Sequence, residues 1–359
     1  MADGYVVRGP RRFTLEVWYP ATLAAGQVAG TVYRVTTRDP SVSGTLAGRA
    51  VRDAAPAPTE RFPLVIVSHG YPGNRFLLAH LGEQLASRGY VVVAIDHPES
   101  MYEDQQTFAS TLYHRPTDQL FVLEEIARQA APGSGSVLSG HVDVEHAGLV
   151  GYSMGGYGVL NAVGAGFTDA ATRLPSAPPL GLLRERAASS DAYRQSRDPR
   201  IRAAIAIAPW GMQTGFWDGD GLSAVTTPLL FIAGSADTVA GYETGTRAAY
   251  RAASNSDRWL LTFANASHNA GAPVPAPAET YVATPGRTPG FLHYADPVWD
   301  SVRMNNIVDH FAVAWFDRYL KGDGEKSAFL AEGGGTRDLH GFLPHTSTGL
   351  TLEHLSPQP

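Results

Sequence analysis

The pattern Gly-x-Ser-x-Gly at residues 151–155 constrains the fold of this chain more than any other feature. It follows the apolar run 147–150 and precedes residues 157–163, which read as a helix. A serine at a sharp turn from strand to helix has a strained backbone that exposes its hydroxyl. The residues two positions away must then lack a Cβ atom so that strand and helix can approach closely. The pattern predicts a reactive Ser153 at a helix N-terminus; the alternative is a glycine-rich turn with an incidental serine.

Composition excludes several classes of protein. The 359 residues are 44% hydrophobic and 17% charged, which is typical of a globular protein with a substantial core. A formal net charge of −6 and the lack of a basic tract argue against nucleic-acid binding. No apolar stretch approaches the length of a membrane span. The chain has no cysteine, which excludes thiol nucleophiles, disulfides and cysteine-ligated metals.

The N-terminal residues 1–5 contain no signal-peptide hydrophobic region. We therefore expect either a cytoplasmic protein or the mature form of an exported protein from which a signal peptide has been removed.

Strands and helices alternate from residue 63 onwards, and the strands are continuous apolar runs of the kind that parallel sheets bury on both faces. The predicted strands are 63–68, 90–96, 147–150, 203–208, 228–233 and 259–263, and the predicted helices are 76–88, 116–130, 157–163, 242–253 and 300–320.

The N-terminal part follows a different pattern. Residues 13–20 alternate apolar and polar side chains, which predicts an edge strand, and 31–35 is expected to pair with it. Residues 38–60 are expected to be irregular.

This order of elements predicts an α/β fold with a mostly parallel central sheet and helices on both faces. We expect a single domain over residues 1–359, with irregular insertions at about 165–200 and 271–298 at the carboxyl edge of the sheet. Ligands bind at that edge in open α/β sheets.

A serine hydroxyl is a weak nucleophile, so Ser153 needs a general base and an acid that orients the base. After this kind of turn the expected chain order is serine, acid, histidine. Asp237 follows the strand 228–233 and His268 follows the strand 259–263, which matches that order. Each also has a simpler interpretation, since aspartates after strands often form turns or helix caps and the chain has 12 histidines. We expect the three residues to form a catalytic triad.

Two backbone N–H groups are expected to stabilise the charge on the attacked carbonyl oxygen. Met154, directly after the serine, is expected to supply one. The second is expected from the loop 68–74, where Pro72 has no N–H and Tyr71 is the predicted donor. The Tyr71 phenol is also expected to line the substrate pocket.

Other histidines have weaker claims to a catalytic role. Asp96 and His97 follow a strand as a competing acid–histidine pair, but they precede Ser153 and are interpreted as loop or pocket residues. His69 is interpreted as a structural hydrogen-bonding residue of its loop.

No metal or cofactor is expected. His69, His80 and His97 do not form a compact ligand set, and His310 lies on a helix whose neighbours read as core. The glycine-rich segments lack the lysine of a phosphate loop and the strand–GxGxxG–helix context of a dinucleotide site.

Large apolar side chains follow the strand 203–208 and are candidates for a substrate pocket. The alternative, that they pack an insertion onto the core, fits each of them equally well. These candidates are Trp210, Met212, Phe216 and Trp217.

The chain resembles the α/β-hydrolase superfamily and, within it, the dienelactone-hydrolase-like branch close to the platelet-activating-factor acetylhydrolases. The resemblance runs over most of the chain. It rests on EVWYP at 16–20, VSHG at 67–70 with NR at 74–75, LASRGY at 85–90, RPTD at 115–118, the turn at 151–156, AGSAD at 233–237, FAVAWF at 311–316 and LKGD at 320–323.

The resemblance implies a cofactor-free serine hydrolase of carboxylic esters, with Ser153, Asp237 and His268 as its triad. Dienelactone hydrolases proper use a cysteine nucleophile, which this chain lacks. We therefore expect a serine esterase that acts through an acyl-enzyme on a small to medium apolar or aromatic ester. The alternatives are an amidase or peptidase on the same fold, a lactone hydrolase, or a non-catalytic binding protein.

Overall fold

A nine-stranded sheet forms the centre of the protein in a computed structural model, which describes residues 10–58, 61–282, 285–286, 288–335 and 337–358. The strands within these ranges are β1 (Thr14–Trp18), β2 (Ala21–Thr22), β3 (Thr31–Thr36), β4 (Ser43–Gly48), β5 (Ala55–Pro56), β6 (Phe62–Ser68), β7 (Val91–Asp96), β8 (Val142–Tyr152), β9 (Ile201–Ile207), β10 (Leu229–Gly234), β11 (Arg258–Phe263), β12 (Gly333–Gly334) and β13 (Leu350–Leu355). The α-helices are α1 (Ala79–Ser87), α2 (Phe108–Ala130), α3 (Met154–Ala162), α4 (Asp191–Gln195), α5 (Gly219–Ser223), α6 (Arg247–Ala252) and α7 (Ser301–Leu320). A π-helical turn, Tyr242–Thr246, leads into α6, and 3₁₀ turns occupy Ala171–Arg173, Pro179–Arg186, Met212–Thr214, Ala278–Tyr281, Gly290–His293 and Gly324–Leu330.

The strand order of the central sheet is β1-β7-β6-β8-β9-β10-β11-β13-β12. The six strands from β7 to β11 in this order pair in parallel, whereas β1 at one side and β13 and β12 at the other pair antiparallel. Helices cover both faces. This arrangement confirms the predicted α/β fold with a mostly parallel sheet.

Alternate side chains of each central strand face opposite layers of the core, as the period of a strand requires. On β6, Val65 and Val67 join the cluster that includes residues of α1 and α7. Leu64 and Ile66 join the other cluster, with residues of α2, α3 and α6. Burial on both faces explains why the central strands are apolar without alternation.

The register of the parallel strands brings their carboxyl ends to one edge. Ser68 at the end of β6 pairs with Gly151, and Tyr152 at the end of β8 pairs with Ile207. At the far side Gly234 pairs with the last residue of β11. The loops that follow these strands therefore meet at the same edge of the sheet.

The N-terminal pairing differs from the prediction. β3 pairs with β4 in a separate antiparallel hairpin instead of with β1, and the segment 38–60 contains β4 and β5. The residues after 323 carry no predicted strand, yet β13 extends the sheet beside β11. Each difference concerns an antiparallel partner: β3 takes its neighbour along the chain, whereas β13 pairs with a strand far away in the sequence.

Helix α2 begins at Phe108, well before the predicted start at Pro116, and contains this proline in its interior. A proline there has no N–H to donate to the carbonyl four residues earlier, that of Leu112. The Tyr157 hydroxyl from α3 donates to this carbonyl at 2.9 Å instead. The contact from α3 compensates for the missing hydrogen bond, so the helix continues through the proline.

Both predicted insertions pack beside the carboxyl edge. In 165–200, Phe167 is buried and stacks on Tyr157 of α3, with ring centroids 5.7 Å apart. The described part of 271–298 is held by Asp296, which accepts hydrogen bonds from the Ser267 N–H and hydroxyl at 2.6 and 2.7 Å.

Residues 1–5, to which the signal-peptide argument applies, lie outside the described residues. Among the helices of the described ranges, none has the length and hydropathy required to cross a bilayer.

Helix α7 lies close to β8 because residue 148 has no side chain. A Cβ atom on Gly148 would overlap the ring of Phe316 and would lie 3.2 Å from Leu320 Cδ1. We predict that Gly148→Ala destabilises the protein by about 1–3 kcal/mol, although alanine suits a strand better than glycine elsewhere. Urea unfolding of Gly148→Ala, Phe316→Leu and the double variant measures this. The double variant should be more stable than the sum of the single effects predicts, whereas simple additivity would contradict the contact.

Candidate active site

Ser153 occupies the turn between β8 and α3, where its backbone has φ 53° and ψ −114°. A side chain in this region costs about 1–3 kcal/mol and persists only where packing holds it. The packing here is between backbones. A Cβ atom on Gly151 would overlap the Gly155 carbonyl group, and one on Gly155 would overlap the Ser68 carbonyl oxygen. The two glycines thus let β8, α3 and β6 approach closely enough to hold the turn.

His268 joins Ser153 to Asp237. Its Nε2 lies 3.0 Å from Ser153 Oγ, and its Nδ1 lies 2.9 Å from Asp237 Oδ2. The other carboxylate oxygen of Asp237 accepts from the N–H groups of Val239 and Ala240 at 2.8 and 3.1 Å. Because both oxygens of Asp237 accept, the His268 proton lies on Nδ1, and Nε2 is left to accept from the serine hydroxyl. The structure thus brings the three predicted residues together in hydrogen-bonding order.

The loop that carries His268 is held from two sides. The Tyr152 hydroxyl donates to Asn269 Oδ1 at 2.9 Å, and the Tyr152 ring lies 5.2 Å from the His268 ring. Asn269 Nδ2 donates to two carbonyls of the insertion 271–298, at 3.1 and 2.7 Å. Asn269 therefore ties this insertion to the candidate base, a role that its sequence position gave no reason to expect.

A further histidine, His293, lies at the same edge of the site. Arg38, from the turn between β3 and β4, donates to His293 Nδ1 at 3.3 Å. Burial and then the charges of Arg38 and His268 lower the pKa of His293 to about 3. His293 is therefore neutral at physiological pH and adds no second positive charge beside His268.

The loop after β6 places Gly70 against the candidate nucleophile. A Cβ atom on Gly70 would lie 3.5 Å from Ser153 Cβ and 3.2 Å from the Tyr152 ring. Among the backbone hydrogen bonds of the described residues, neither the Tyr71 N–H nor the Met154 N–H is a donor. The two predicted oxyanion donors therefore have no backbone acceptor among the described residues. Met154 directly follows Ser153 in the chain, and Tyr71 lies in the loop that brings Gly70 against Ser153.

The competing residues Asp96 and His97 bond elsewhere. Asp96 accepts from the Arg75 guanidinium and from its N–H at 2.7 Å. His97 is 1% exposed, with Nε2 2.8 Å from Ser68 Oγ and Nδ1 3.0 Å from Asp118 Oδ2. These contacts are buried at the carboxyl ends of β6 and β7 and do not form a second open site.

The remaining histidines considered as ligands also have other partners. His80 Nδ1 contacts Asp309 at 2.9 Å, and the His310 ring packs against Phe329 and Phe342. In the described ranges no three His, Asp or Glu side chains cluster as metal ligands would.

Three half-buried aromatic rings form a wall beside Ser153. The ring centroids of Tyr71 and Phe108 are 5.3 Å apart, and those of Phe108 and Trp210 are 5.2 Å apart. The Trp210 N–H donates to the Ser153 carbonyl at 3.2 Å, which places this residue next to the candidate nucleophile. Met212 is also half-buried and packs against the same cluster. Phe108 was not predicted, because it comes from α2, far away in the chain.

Phe216 and Trp217 require a correction. Their side chains are 1% and 2% exposed, and Trp217 Nε1 donates to Asn161 Oδ1 at 3.1 Å. They pack with Tyr157 behind the wall, so the structure places them in the core and not at a substrate surface. Phe167 of the insertion 165–200 contacts the Phe216 ring, with ring centroids 5.7 Å apart.

Comparison of the sequence with known proteins identifies the family of this chain. A family model described as PET hydrolase-like matches residues 20–179 and 189–280. Cutinase 1 of Thermobifida cellulosilytica is 23% identical over 278 residues, which are 77% of this chain and 76% of that protein. A cutinase of Thermobifida fusca is also 23% identical over 278 residues, 77% of this chain and 66% of its own. The bis(hydroxyethyl) terephthalate hydrolase of Streptomyces coelicolor is 26% identical over 208 residues, 58% of this chain and 50% of its own. These matches confirm the resemblance to α/β-hydrolase serine esterases: the chain belongs to the PET hydrolase-like family and is an ester-bond hydrolase.

Proposed function

We propose that this protein hydrolyses carboxylic esters through an acyl-enzyme on Ser153, with His268 as general base and Asp237 as its orienting acid. The observation that carries the proposal is the continuous contact from Asp237 Oδ2 to His268 Nδ1 and from His268 Nε2 to Ser153 Oγ, at 2.9 and 3.0 Å. Both distances lie within the range that proton transfer requires.

The first half of the reaction forms the acyl-enzyme. His268 Nε2 takes the Ser153 proton as Oγ attacks the ester carbonyl carbon. The carbonyl oxygen becomes an oxyanion, which the N–H groups of Tyr71 and Met154 stabilise. Asp237 favours the imidazolium form of His268 during this step. Collapse of the tetrahedral intermediate breaks the ester C–O bond, and His268 returns the proton to the leaving alcohol.

The second half uses the same groups with water. His268 removes a proton from a water molecule, which attacks the acyl carbonyl carbon while the same two N–H groups stabilise the second oxyanion. The Ser153–acyl bond then breaks, and Ser153 recovers its proton from His268. No other reactant is needed, so the products are one alcohol and one carboxylic acid.

We further propose an apolar or aromatic ester as substrate. The support is the wall of Tyr71, Phe108 and Trp210, whose rings lie edge to face at 5.2 to 5.3 Å and are each partly accessible beside Ser153. Edge-to-face contacts stabilise an aromatic acyl group more than a short aliphatic one. An aromatic diester of the kind named for the Streptomyces coelicolor relative fits this surface.

Ser153→Ala tests the nucleophile. We predict that kcat for p-nitrophenyl butyrate falls by at least about 10⁴-fold, because no other described hydroxyl contacts His268. The exposed Ser189→Ala is the matched control and should retain wild-type kcat. A fluorophosphonate should label wild type and the control but not Ser153→Ala. Equal labelling of Ser153→Ala would refute the proposal.

Phe108→Ala tests the aromatic wall. We predict a loss of about tenfold in kcat/KM for bis(2-hydroxyethyl) terephthalate, which corresponds to one lost aromatic contact. The kcat/KM for ethyl butyrate, measured by pH-stat, should change by less than about twofold. Phe121→Ala on the exposed side of the same helix is the control. Equal losses on both substrates would argue against aromatic recognition by this wall.

A further inference from the structure

We propose that Arg115 and His69 are positioning residues that orient and polarise the peptide group between Gly70 and Tyr71, and so set the strength of the Tyr71 N–H as an oxyanion donor. The inference rests on the proposed function, since it concerns the carbonyl oxygen attacked by Ser153. It assigns a role to two buried side chains that do not touch the reacting atoms.

The Gly70 carbonyl is held by two donors. His69 Nδ1 lies 2.7 Å from the Gly70 oxygen, and Arg115 Nη2 lies 3.3 Å from it. This carbonyl and the Tyr71 N–H belong to the same peptide unit, which is planar and trans, so they point in opposite directions. Because the Gly70 carbonyl points towards Arg115 and His69, the Tyr71 N–H points away from these two side chains.

The protonation of His69 follows from its second contact. His69 Nε2 accepts from the His97 N–H at 3.3 Å, which leaves the ring proton on Nδ1. Burial and then the neighbouring Arg115 charge lower the pKa of His69 well below its usual value. The ring is therefore a neutral donor to the Gly70 carbonyl and not a second base.

Arg115 brings a buried positive charge to the same loop. It is 1% exposed, and its guanidinium also donates to the His69 carbonyl and to Ser100 Oγ. None of the ion pairs among the described residues includes Arg115, although Asp118 lies one turn along α2. Burial lowers the pKa of Arg115 to about 9, so it is charged at neutral pH.

A buried cation without a directly bonded carboxylate is unfavourable for stability, so its position calls for an explanation. Donors to a carbonyl oxygen polarise the amide and strengthen the hydrogen bond that its N–H makes. Two donors on the Gly70 carbonyl, one of them cationic, would therefore strengthen the Tyr71 N–H when the oxyanion forms. The interaction grows with the developing charge and acts on the transition state more than on the bound ester.

The test compares an ester with its thionoester, in which sulfur replaces the carbonyl oxygen. The developing charge then lies on a larger atom that an oxyanion site shaped for oxygen holds poorly, so the ester-to-thionoester ratio of kcat/KM reports on the site itself. The variant is Arg115→Gln in the full chain. The matched control is Arg128→Gln, on the exposed side of the same helix. The substrates are p-nitrophenyl acetate and p-nitrophenyl thionoacetate.

We expect Arg115→Gln to lower kcat for the ester by about 10- to 100-fold with KM changed less than about twofold. The ester-to-thionoester ratio should fall by about tenfold, because the thionoester depends less on the Tyr71 N–H. Arg128→Gln should match wild type in both measures. Equal losses on the two substrates would leave the ratio unchanged, and this result would overturn the inference.

A second pair of variants keeps the test decisive if Arg115→Gln does not fold. His69→Asn retains an amide donor at the position of Nδ1, whereas His69→Ala removes it. We expect His69→Asn to keep most of the wild-type ratio and His69→Ala to lose it; equal ratios would overturn the inference. Failure of the proposed function is recognised separately, since wild type would then not be labelled at Ser153 by a fluorophosphonate.

Discussion

The backbone-to-backbone contact among β6, β8 and α3 is the constraint on which the rest of the site depends. Gly151 and Gly155 allow this contact, because any Cβ atom at either position would overlap a neighbouring main chain. The contact holds Ser153 at a positive φ that a free chain would leave, at a cost of about 1–3 kcal/mol. It also brings the loop after β6 beside the serine. One packing feature therefore positions the candidate nucleophile and places a candidate oxyanion donor next to it.

Buried polar side chains surround this contact, and they hold the groups of the site in position at a cost in stability. His69 in the loop after β6 and the adjacent Arg115 are buried and hydrogen-bonded to the Gly70 carbonyl, and the buried His97 donates its N–H to His69. Apolar side chains of similar volume would stabilise a core more than buried charges do. In front of the serine, His268 is held by a carboxylate whose second oxygen is occupied by two N–H groups. The polar groups are arranged before the substrate arrives, which is what electrostatic stabilisation of a transition state requires.

Local sequence was sufficient for the parts of the site that follow parallel strands. Asp237 and His268 lie in the loops that follow the apolar strands β10 and β11, and parallel register gathers such strand ends at one edge. Local sequence was insufficient where distant segments decide the outcome. An aromatic residue after a strand has the same pattern whether it faces a pocket or the core. In the structure Phe216 packs against Phe167 of the insertion 165–200, and Trp217 packs against Tyr157 of α3. Phe108 reaches the site from α2, whose passage through a proline depends on a hydrogen bond from α3.

In the proposed reaction Ser153 carries the acyl group during turnover. The most direct measurement is rapid acid quenching of the protein with p-nitrophenyl butyrate, followed by intact-protein mass spectrometry and peptide mapping. We expect a transient mass increase of one butyryl group, located on the peptide that contains Ser153 and absent at the end of the reaction. Turnover without any acylated protein, or an acyl group on a different residue, would contradict it.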